Sequence, residues 1–433
     1  MHYVAQNTRN DLSLLSIDLK MNNSDLSIEG KSICEDTDNL IKDSTVNIEN
    51  DQEFLGWTPY EKFKQNIKKS CKLMIRLYLS VKRRIFGRKK LGRVILIVIL
   101  LVTLWKLWSI TSLPPNDVSQ RKIFIAANFY NNEDILPNFS EQLLELVQIL
   151  GPENVYISIF ENGSKDNTKL FLQTLQSTLN SIDIANTIII DDTPKYYIGR
   201  RIPYLANLRN RVLEPLLEQA EKENHFDKVL FFNDIIWKVS DILTLLRTNG
   251  YSYDAACAMD FYWTFYDTFA TRELPSPNIS YPWPPTPYYP FFYDTTAQQQ
   301  IYNGESVQVF SCWNGVVIMN AEPFVKHGIK FRALMPQDKE LPFEASECCL
   351  IFSDFKKVGY DKVFINPNVK VSYVYRFYLW SNYFLSLIDR FFFRYFNHPT
   401  PPSLFSYEGI RMQEVMKDAV RFNVTKLDRI CVQ

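Results

Sequence analysis

Histidine and closely spaced cysteine pairs are scarce in this chain of 433 residues, which contains four His and seven Cys. No two cysteines have the Cys-x-x-Cys spacing, and no cysteine has a histidine partner at the spacing of a zinc site. A structural zinc site is therefore not predicted. Five cysteines follow residue 113, namely Cys257, Cys312, Cys348, Cys349 and Cys431. This odd number predicts at most two disulfides there, and at least one cysteine that is free or pairs between chains.

Charge of one sign is nearly missing from each of two consecutive stretches. Residues 1–60 hold four Lys/Arg against eleven Asp/Glu, whereas residues 61–93 hold thirteen Lys/Arg and one acid. The first stretch is polar and lacks periodicity, so we expect a disordered acidic tail. The second mixes basic and apolar residues at roughly helical spacing, which is typical of a segment lying on an anionic membrane surface. Nucleic-acid binding is the competing interpretation of the basic segment.

A long apolar run covers residues 94–113, with Lys106 as its one charge and Trp105 and Trp108 near its end. About twenty such residues cross the hydrocarbon core of a bilayer, and tryptophans favour its interface. The run begins too far from the N-terminus to be a cleaved signal peptide. Because the basic cluster precedes it, we expect a type II signal anchor with a cytoplasmic N-terminus. A buried core helix is the alternative, and a membrane span argues against a nucleic-acid partner.

Asn-x-Ser/Thr triplets at Asn138, Asn278 and Asn423 are candidate glycan acceptors and fit a lumenal location for the rest of the chain. A further triplet begins at Asn162, where burial in a ligand site would leave it unmodified.

Strands alternate with helices after a short stem at 114–121, which predicts βαβ units and a mostly parallel α/β sheet. Residues 122–375 are expected to form this domain, and residues 376–433 an aromatic-rich extension packed on it or on the membrane surface. The predicted strands are 122–127, 154–160, 187–192, 228–234 and 253–260, and the intervening helices are 141–150, 169–179, 203–220 and 240–248. A strand-rich piece at 307–324, a helix at 345–359 and a closing pair of short strands at 362–375 follow.

The alternation is interrupted at residues 275–290, which contain seven prolines and four aromatic residues. Such a segment cannot form an interior strand or helix. A linker and a loop that forms the wall of a sugar or peptide site are both open.

Polar residues follow several predicted strands, at the sheet edge where open α/β sheets bind ligands. Asn128 follows the first strand, and Glu161 and Ser164 lie in an acidic Gly-Ser turn after the second. Glu161 could accept hydrogen bonds from a base or ribose, although helix capping by Ser164 is the simpler interpretation of the turn.

Arg209 and Asn210 lie off the apolar stripe of the predicted helix 203–220. A guanidinium there suits a diphosphate, and a solvated charge is the alternative. Asn233-Asp234 ends the apolar run KVLFF. A carboxylate at a strand end beside a diphosphate is a natural ligand for Mn²⁺ or Mg²⁺.

The order of these motifs resembles the nucleotide-sugar domain of GT-A glycosyltransferases. The runs RIPYLANLRN, LFFNDI, AACAMDF, VFSCWNGVVIMNA and SECCLIFSDF are similar, more specifically, to fungal capsule-associated α-1,3-mannosyltransferases of glycosyltransferase family 69. The resemblance covers about residues 122–375. It implies a GT-A-like, Rossmann-type mixed sheet and a Golgi membrane enzyme. This enzyme would transfer mannose from GDP-mannose to a glycan acceptor, with Mn²⁺ or Mg²⁺ as cofactor.

The resemblance makes Asp234 the metal ligand, as the last acid of an Asp-x-Asp motif, with Asn233 beside it. Phe232 stands where the first acid of that motif would be, which weakens the expected metal dependence. Arg209 and Glu161 become donor contacts. The other predicted donor-binding residues are Asn128, Ser164, Asn210 and Asn233.

Glu347 resembles the acid that opens the late helix of GT-A sites, and Asp354 lies seven residues on, hence on the same helical face. Glu347 would be the general base of an inverting enzyme. Transfer from GDP-α-mannose to an α-linkage retains configuration, so Glu347 would then orient the acceptor or the reacting centre. For both acids an ordinary helix charge is the alternative.

Asp260, Trp313 and Asn314 are predicted acceptor contacts, since an indole and an amide could stack on and hydrogen-bond a sugar; a buried core Trp is the alternative. Two other functions remain open: transfer from another nucleotide sugar, and non-catalytic glycan binding by a membrane-tethered protein with a decayed site.

Overall fold

Ten strands form one mixed sheet at the centre of the fold. The computed structural model describes residues 121–191, 200–275, 283–334, 341–385 and 399–432, all within one compact unit at 114–433. The predicted acidic tail, basic segment and membrane span lie outside these ranges, as does the predicted stem up to residue 120. Within the described ranges, no helix has both the length and the apolar character that a membrane crossing requires.

The strands alternate along the chain with helices on both sides of the sheet. The strands are β1 (Ile123–Phe129), β2 (Val155–Asn162), β3 (Asn186–Asp191), β4 (Lys228–Phe232), β5 (Ala255–Tyr262), β6 (Thr264–Phe265), β7 (Arg272–Glu273), β8 (Val307–Ser311), β9 (Val316–Asn320) and β10 (Val363–Ser372). The helices are α1 (Leu136–Leu150), α2 (Thr168–Ser181), α3 (Arg201–Glu221), α4 (Val239–Leu246), α5 (Thr295–Asn303), α6 (Glu322–His327), α7 (Glu347–Lys357), α8 (Tyr375–Leu379) and α9 (Tyr407–Arg421). A π-helical turn, Trp380–Leu385, continues α8.

The spatial order is β3-β2-β1-β4-β9-β5-β10-β8-β7, with β6 paired to β5. Strands β1 to β4 are mutually parallel, as predicted. The sheet as a whole is mixed, because β9 runs antiparallel between β4 and β5 and β8 runs antiparallel to β10. The mixed sheet that the resemblance implies is confirmed, whereas the mostly parallel sheet predicted from the alternation is wrong for the second half of the domain.

The predicted closing pair of strands at 362–375 is a single strand, β10. Its pairing with β5 shifts register between Ile365 and Lys370. The sequence Asn-Pro-Asn at 366–368 lies at this irregularity and makes the strand look interrupted, but parallel pairing resumes after it.

The continuously apolar strands divide their side chains between two cores. In β1, Ile123, Ile125 and Ala127 belong to the core that includes α1, α2 and α4, whereas Phe124 and Ala126 belong to the core that includes α3 and α7. Alternation along a strand sends successive side chains to opposite faces. Burial on both faces is what a sheet covered by helices requires.

Two disulfides and one free thiol account for the five cysteines of this domain. Cys257 pairs with Cys312, Cys349 pairs with Cys431, and Cys348 is free and buried. The prediction of at most two bridges with one cysteine left over is confirmed. The second bridge ties the end of the chain to α7, where a third apolar cluster includes Phe310, Leu350 and Val432.

Candidate active site

Polar side chains collect at one edge of the sheet, where β1, β2, β4, β5 and β10 have their carboxyl ends. Since β9 is antiparallel to β4, with Phe232 opposite Val316, the residues before β9 return to the same edge. The Asn233 amide donates to the Gly315 carbonyl at 2.8 Å and fixes this return. Gly315 has φ +83°, and a Cβ there would lie 2.9 Å from Val371, so a glycine is needed at this close approach.

A buried ion pair joins α3 to the first turn of α7. Arg209 Nε donates to Glu347 Oε1 at 3.1 Å, and the two residues are 9% and 3% exposed. Ser346 caps α7 by accepting from the Cys348 amide, so Glu347 takes the first helical position. The prediction that Glu347 opens this helix is confirmed, and the structure brings it against Arg209.

Asn233 and Trp313 complete the surroundings of the guanidinium. Asn233 Oδ1 accepts from Arg209 Nη1 at 3.2 Å and from Trp313 Nε1 at 2.9 Å. The guanidinium carbon lies 4.3 Å from the centre of the Trp313 ring, a distance typical of a cation–π contact. Trp313 is 1% exposed. It is therefore a buried support for Arg209, which is the alternative that the sequence left open, and not a surface on which a sugar stacks.

Asp234 follows Asn233 directly and is half-buried. Its Oδ2 accepts from Asn132 Nδ2 at 3.1 Å. Burial raises the pKa of Asp234, against the opposing effects of the Asn132 hydrogen bond and the charges of Arg209 and Arg201. Asn132 was missed from the sequence, although its position in the loop after β1 is the same signal that pointed to Asn128.

Hydrogen bonds between the loops after β1 and β2 set the shape of this edge. The Asn131 amide donates to Ser164 Oγ at 2.9 Å, and the Asn132 amide donates to Thr168 Oγ1 at 2.7 Å. The Ser164 amide in turn donates to Glu161 Oε1. Ser164 and Glu161 therefore hold the loop that carries Asn132.

Two predicted donor contacts each keep a buried oxygen without a partner in the described part of the chain. These atoms are Asn128 Oδ1 and Glu161 Oε2. The Asn128 amide nitrogen donates to the Leu208 carbonyl at 3.3 Å, so this residue links β1 to α3. A buried acceptor without a donor is unfavourable, and a ligand at this edge could supply one.

The structure does not bring Asn210 or Asp354 into this cluster. Asn210 Oδ1 accepts from the Phe331 amide and its Nδ2 donates to the Phe331 carbonyl, both at 2.8 Å. Asp354 accepts two hydrogen bonds from Arg332, at 2.6 and 2.9 Å, and forms an ion pair with Lys357. Two turns of α7 separate Asp354 from Glu347. Each residue thus has a structural partner that a single sequence does not reveal.

Asp260, which is fully buried, and Asp267, which is half-buried, lie together beside Asn314. Asp260 accepts from Tyr373 Oη at 2.8 Å and from the Asp267 amide at 3.1 Å. Burial, reinforced by the charge of Asp267, raises the pKa of Asp260 to about 7. Asp267 accepts from the Asn314 amide, and Asn314 Oδ1 accepts from Thr271 Oγ1. Asp260 and Asn314, which are predicted acceptor contacts, are 0% exposed. They support the loops at this sheet edge through hydrogen bonds within the protein.

A metal at this edge would depend on Asp234 as its protein carboxylate. Among the described residues, no group of three or more His, Cys, Asp or Glu side chains is arranged to hold a metal ion. Phe232, at the position of the missing acid, is buried against Trp237 with ring centres 4.7 Å apart. Mg²⁺ is commonly bound by one or two carboxylates together with substrate phosphates. Asp234 fits a divalent cation that is held in that way.

The arrangement is that of a ligand site at the carboxyl edge of an α/β sheet: a hard-oxygen ligand, a buried guanidinium–carboxylate pair and amide groups. The profile of the family described as "Cryptococcal mannosyltransferase 1" matches residues 122–354. The chain belongs to this family.

One curated relative is the alpha-1,3-mannosyltransferase CMT1 of Cryptococcus neoformans var. neoformans serotype D. It is 31% identical over 283 residues, which cover 60% of this chain and 59% of the relative. The similarity therefore spans less than two thirds of the length of that relative.

Solved structures with a similar course of the chain include the mannosyltransferase PcManGT of Pyrobaculum calidifontis, described in complex with GDP-Man and Mn²⁺. Its TM-score is 0.35 at 13% identity, over 75% of this chain and 80% of that chain. Residues 1–349 of TarS from S. aureus give a TM-score of 0.35 at 13% identity, over 71% of this chain and 83% of that chain.

Proposed function

We propose that this protein is a glycosyltransferase, and specifically a retaining α-1,3-mannosyltransferase that moves mannose from GDP-mannose to a mannose-containing glycan. Membership of the mannosyltransferase family supports the reaction class, and the similarity to an alpha-1,3-mannosyltransferase supports the linkage. The observation in the structure that carries the proposal is the Arg209–Glu347 pair beside Asn233-Asp234.

Asp234 is the residue that would hold Mn²⁺ or Mg²⁺ against the donor diphosphate. The bound cation would neutralise negative charge that develops on the departing nucleotide. The carboxylate must be ionised for this role. Because burial raises the pKa of Asp234, the bound cation and the positive charges of Arg209 and Arg201 would help to keep the carboxylate ionised.

In this proposal Glu347 orients groups and does not act as a free base. Its Oε1 is engaged by Arg209, and Cys348 Sγ lies 3.5 Å from the same oxygen. A carboxylate held in this way presents a fixed negative charge near the reacting sugar. This role suits a reaction that retains configuration, in which a base on the opposite face of the sugar is not required.

The location proposed for the enzyme is the Golgi membrane, with type II topology and a lumenal catalytic domain. The apolar run at 94–113 and the basic cluster before it support this topology. The two disulfides are consistent with a secretory compartment, where such bonds persist.

The test is a donor panel with the full-length chain in detergent. GDP-mannose, GDP-fucose, UDP-glucose and UDP-galactose are each incubated with methyl α-mannoside and Mn²⁺, and the product is analysed by NMR. We expect transfer from GDP-mannose alone, with an α-1,3 linkage. Transfer from a different donor would replace the donor assignment. If no donor gives either transfer or hydrolysis, the result would favour a non-catalytic glycan-binding protein.

A further inference from the structure

A continuous strip of aromatic rings runs from the sheet edge to the surface. Its members are the side chains Tyr373, Tyr266, Tyr262, Phe377, Trp263 and Trp380, called the aromatic strip below. They come from three places: the β5–β6 hairpin and the turn after it, the end of β10, and α8 with the π-helical turn that continues it.

The inner end of the aromatic strip contacts the candidate site. Tyr373 Oη donates to Asp260 at 2.8 Å, and burial followed by the charge of Asp260 raises the pKa of Tyr373. The ring of Tyr266 lies 5.3 Å from that of Tyr373 and 6.2 Å from that of Tyr262. Tyr266 is 59% exposed, so the strip reaches solvent one ring away from Tyr373.

The outer end of the strip rests on Phe377. This buried ring lies 4.8 Å from Tyr262 and 4.8 Å from Trp263. Trp263 lies 5.8 Å from Trp380 and is 37% exposed. The buried ring of Phe377 therefore holds Trp263 in position, which lowers the loss of side-chain freedom when Trp263 binds a ligand.

The backbone at Trp263 gives a second, independent indication of function. Trp263 has φ +69°, in the left-handed region that a bulky residue rarely adopts. It lies at the tip of the β5–β6 hairpin, between Tyr262 and Thr264, a position that glycine would occupy without strain. A strained backbone at an exposed Trp is typical of a residue with a role in binding.

The proline-rich segment, left open as a linker or a wall, lies beside the hairpin where it is described. The Phe265 amide donates to the Pro287 carbonyl at 3.2 Å, and Tyr289 packs on Phe291, with ring centres 5.5 Å apart. The described part of the segment is thus bonded, through Pro287, to the hairpin that carries Trp263.

We propose that the aromatic strip binds the glycan acceptor, with successive sugar rings stacked on Tyr266, Trp263 and Trp380. This inference rests on the proposed function for the identity of the ligand. Pyranose rings combine an apolar face with a rim of hydroxyl groups, so flat aromatic rings with a few polar atoms suit them. Because the strip begins at Tyr373 and Asp260, a glycan on it would present one end to the site and extend outward.

The test compares acceptors of different length on the full-length protein in detergent. Binding of methyl α-mannoside and of a linear α-mannotetraose is measured by calorimetry for the wild type and Trp263→Gly. The glycine variant removes the ring and suits the backbone at φ +69°, so the fold is retained. Phe405→Gly removes another exposed aromatic, 94% exposed and outside the strip, and serves as the matched control.

We expect Trp263→Gly to weaken mannotetraose binding about tenfold and to raise its KM similarly. GDP-mannose hydrolysis without acceptor, and the KM for methyl α-mannoside, should match the wild type, and Phe405→Gly should bind mannotetraose normally. Equal loss with both variants, or unchanged mannotetraose binding in Trp263→Gly, would overturn the proposal.

Unchanged glycan binding with reduced sedimentation on phosphatidylcholine–phosphatidylserine vesicles would instead make the strip a membrane contact. The wild type could also bind mannotetraose through Trp263 without hydrolysing GDP-mannose or transferring mannose. That result would support glycan binding by the aromatic strip and contradict the proposed reaction.

Discussion

Arg209 Nε lies 3.1 Å from Glu347 Oε1, across a sequence separation of 138 residues. The pair is almost entirely buried, and it fastens the helix after β3 to the helix before β10. Two charges removed from water are tolerated when each has its partner and further hydrogen bonds. Arg209 has these in Asn233 and in the face of Trp313, so the interaction both builds the site and stabilises the domain.

Removal of one partner should therefore be costly. We expect Glu347→Ala to lower the free energy of unfolding by about 3–5 kcal/mol, because Arg209 is left buried and unpaired. Thermal unfolding followed by tryptophan fluorescence measures this, and mannosyl transfer should fall below detection. An unchanged unfolding temperature would show that the pair is not buried as described.

A double variant separates stability from catalysis. Arg209→Met with Glu347→Leu replaces the ion pair by apolar contacts, and we expect it to recover most of the stability lost in Glu347→Ala. It should remain inactive, because both charged groups of the site are absent. Recovery of transfer together with stability would mean that the pair has only a structural role.

Asp260 should make the stability of the domain depend on pH. Its pKa is about 7 in the folded protein, against an ordinary value of 3.8, so the folded state binds more protons than the unfolded state between these values. Stability then falls as the pH rises from about 4 to about 7. Asp260→Asn should flatten the dependence of the unfolding temperature on pH over this range, and Glu145→Gln, an exposed acid on α1, should not. Parallel curves for Asp260→Asn and the wild type would contradict the assignment.

The disulfide between Cys349 and Cys431 closes a loop of 82 residues. Its loss in Cys431→Ser should destabilise the domain by about 4 kcal/mol. The end of the chain also accepts a hydrogen bond from Arg272 to the Ile430 carbonyl. Cys348→Ala removes the free thiol without opening a loop and should cost less. Peptide mapping under non-reducing conditions should recover the two bridges; a bridge through Cys348 would contradict them.

The sequons test which side of the membrane the domain occupies. Asn423 is exposed, whereas Asn162 is 8% exposed and donates to Tyr204 Oη. If the domain is lumenal, endoglycosidase should increase the gel mobility of the full-length protein expressed in yeast. Asn423→Gln should lack one glycan, and Asn162→Gln should migrate as the wild type. A chain without any glycan would count against the proposed topology.

Local patterns predicted most elements of the first half of the domain. The apolar runs that form β1, β2 and β4 are each buried on both faces. Glu161 lies near the end of β2, and Asp234 lies two residues after the end of β4. Periodicity could not show that β9 enters the sheet between β4 and β5, because strand order depends on contacts distant in sequence. The prediction of two strands for β10 has a local cause, the Asn-Pro-Asn irregularity at 366–368.

The roles of individual site residues were less predictable than their location. Arg209, Asn233 and Glu347, each predicted singly as a site residue, meet in the structure. The partner of Asn210 is the backbone of Phe331, 121 residues away. Trp313 supports the guanidinium from within the core, and a sequence does not distinguish a buried indole from an exposed one. Asp267 stands out only once the hydrogen bonds of the folded edge are known.

The most direct test of the central claim is mannosyl transfer from GDP-mannose by the wild type and Asp234→Asn, each with Mn²⁺ and with EDTA. The asparagine keeps the size of the side chain and an oxygen that can accept from Asn132, so the fold should be retained. We predict that EDTA abolishes transfer by the wild type and that Mn²⁺ restores it. Asp234→Asn should lose at least about a hundredfold of the activity, on the order of 2.7 kcal/mol in the barrier. Full transfer by this variant, or transfer that EDTA does not affect, would show that Asp234 does not hold a metal against the donor.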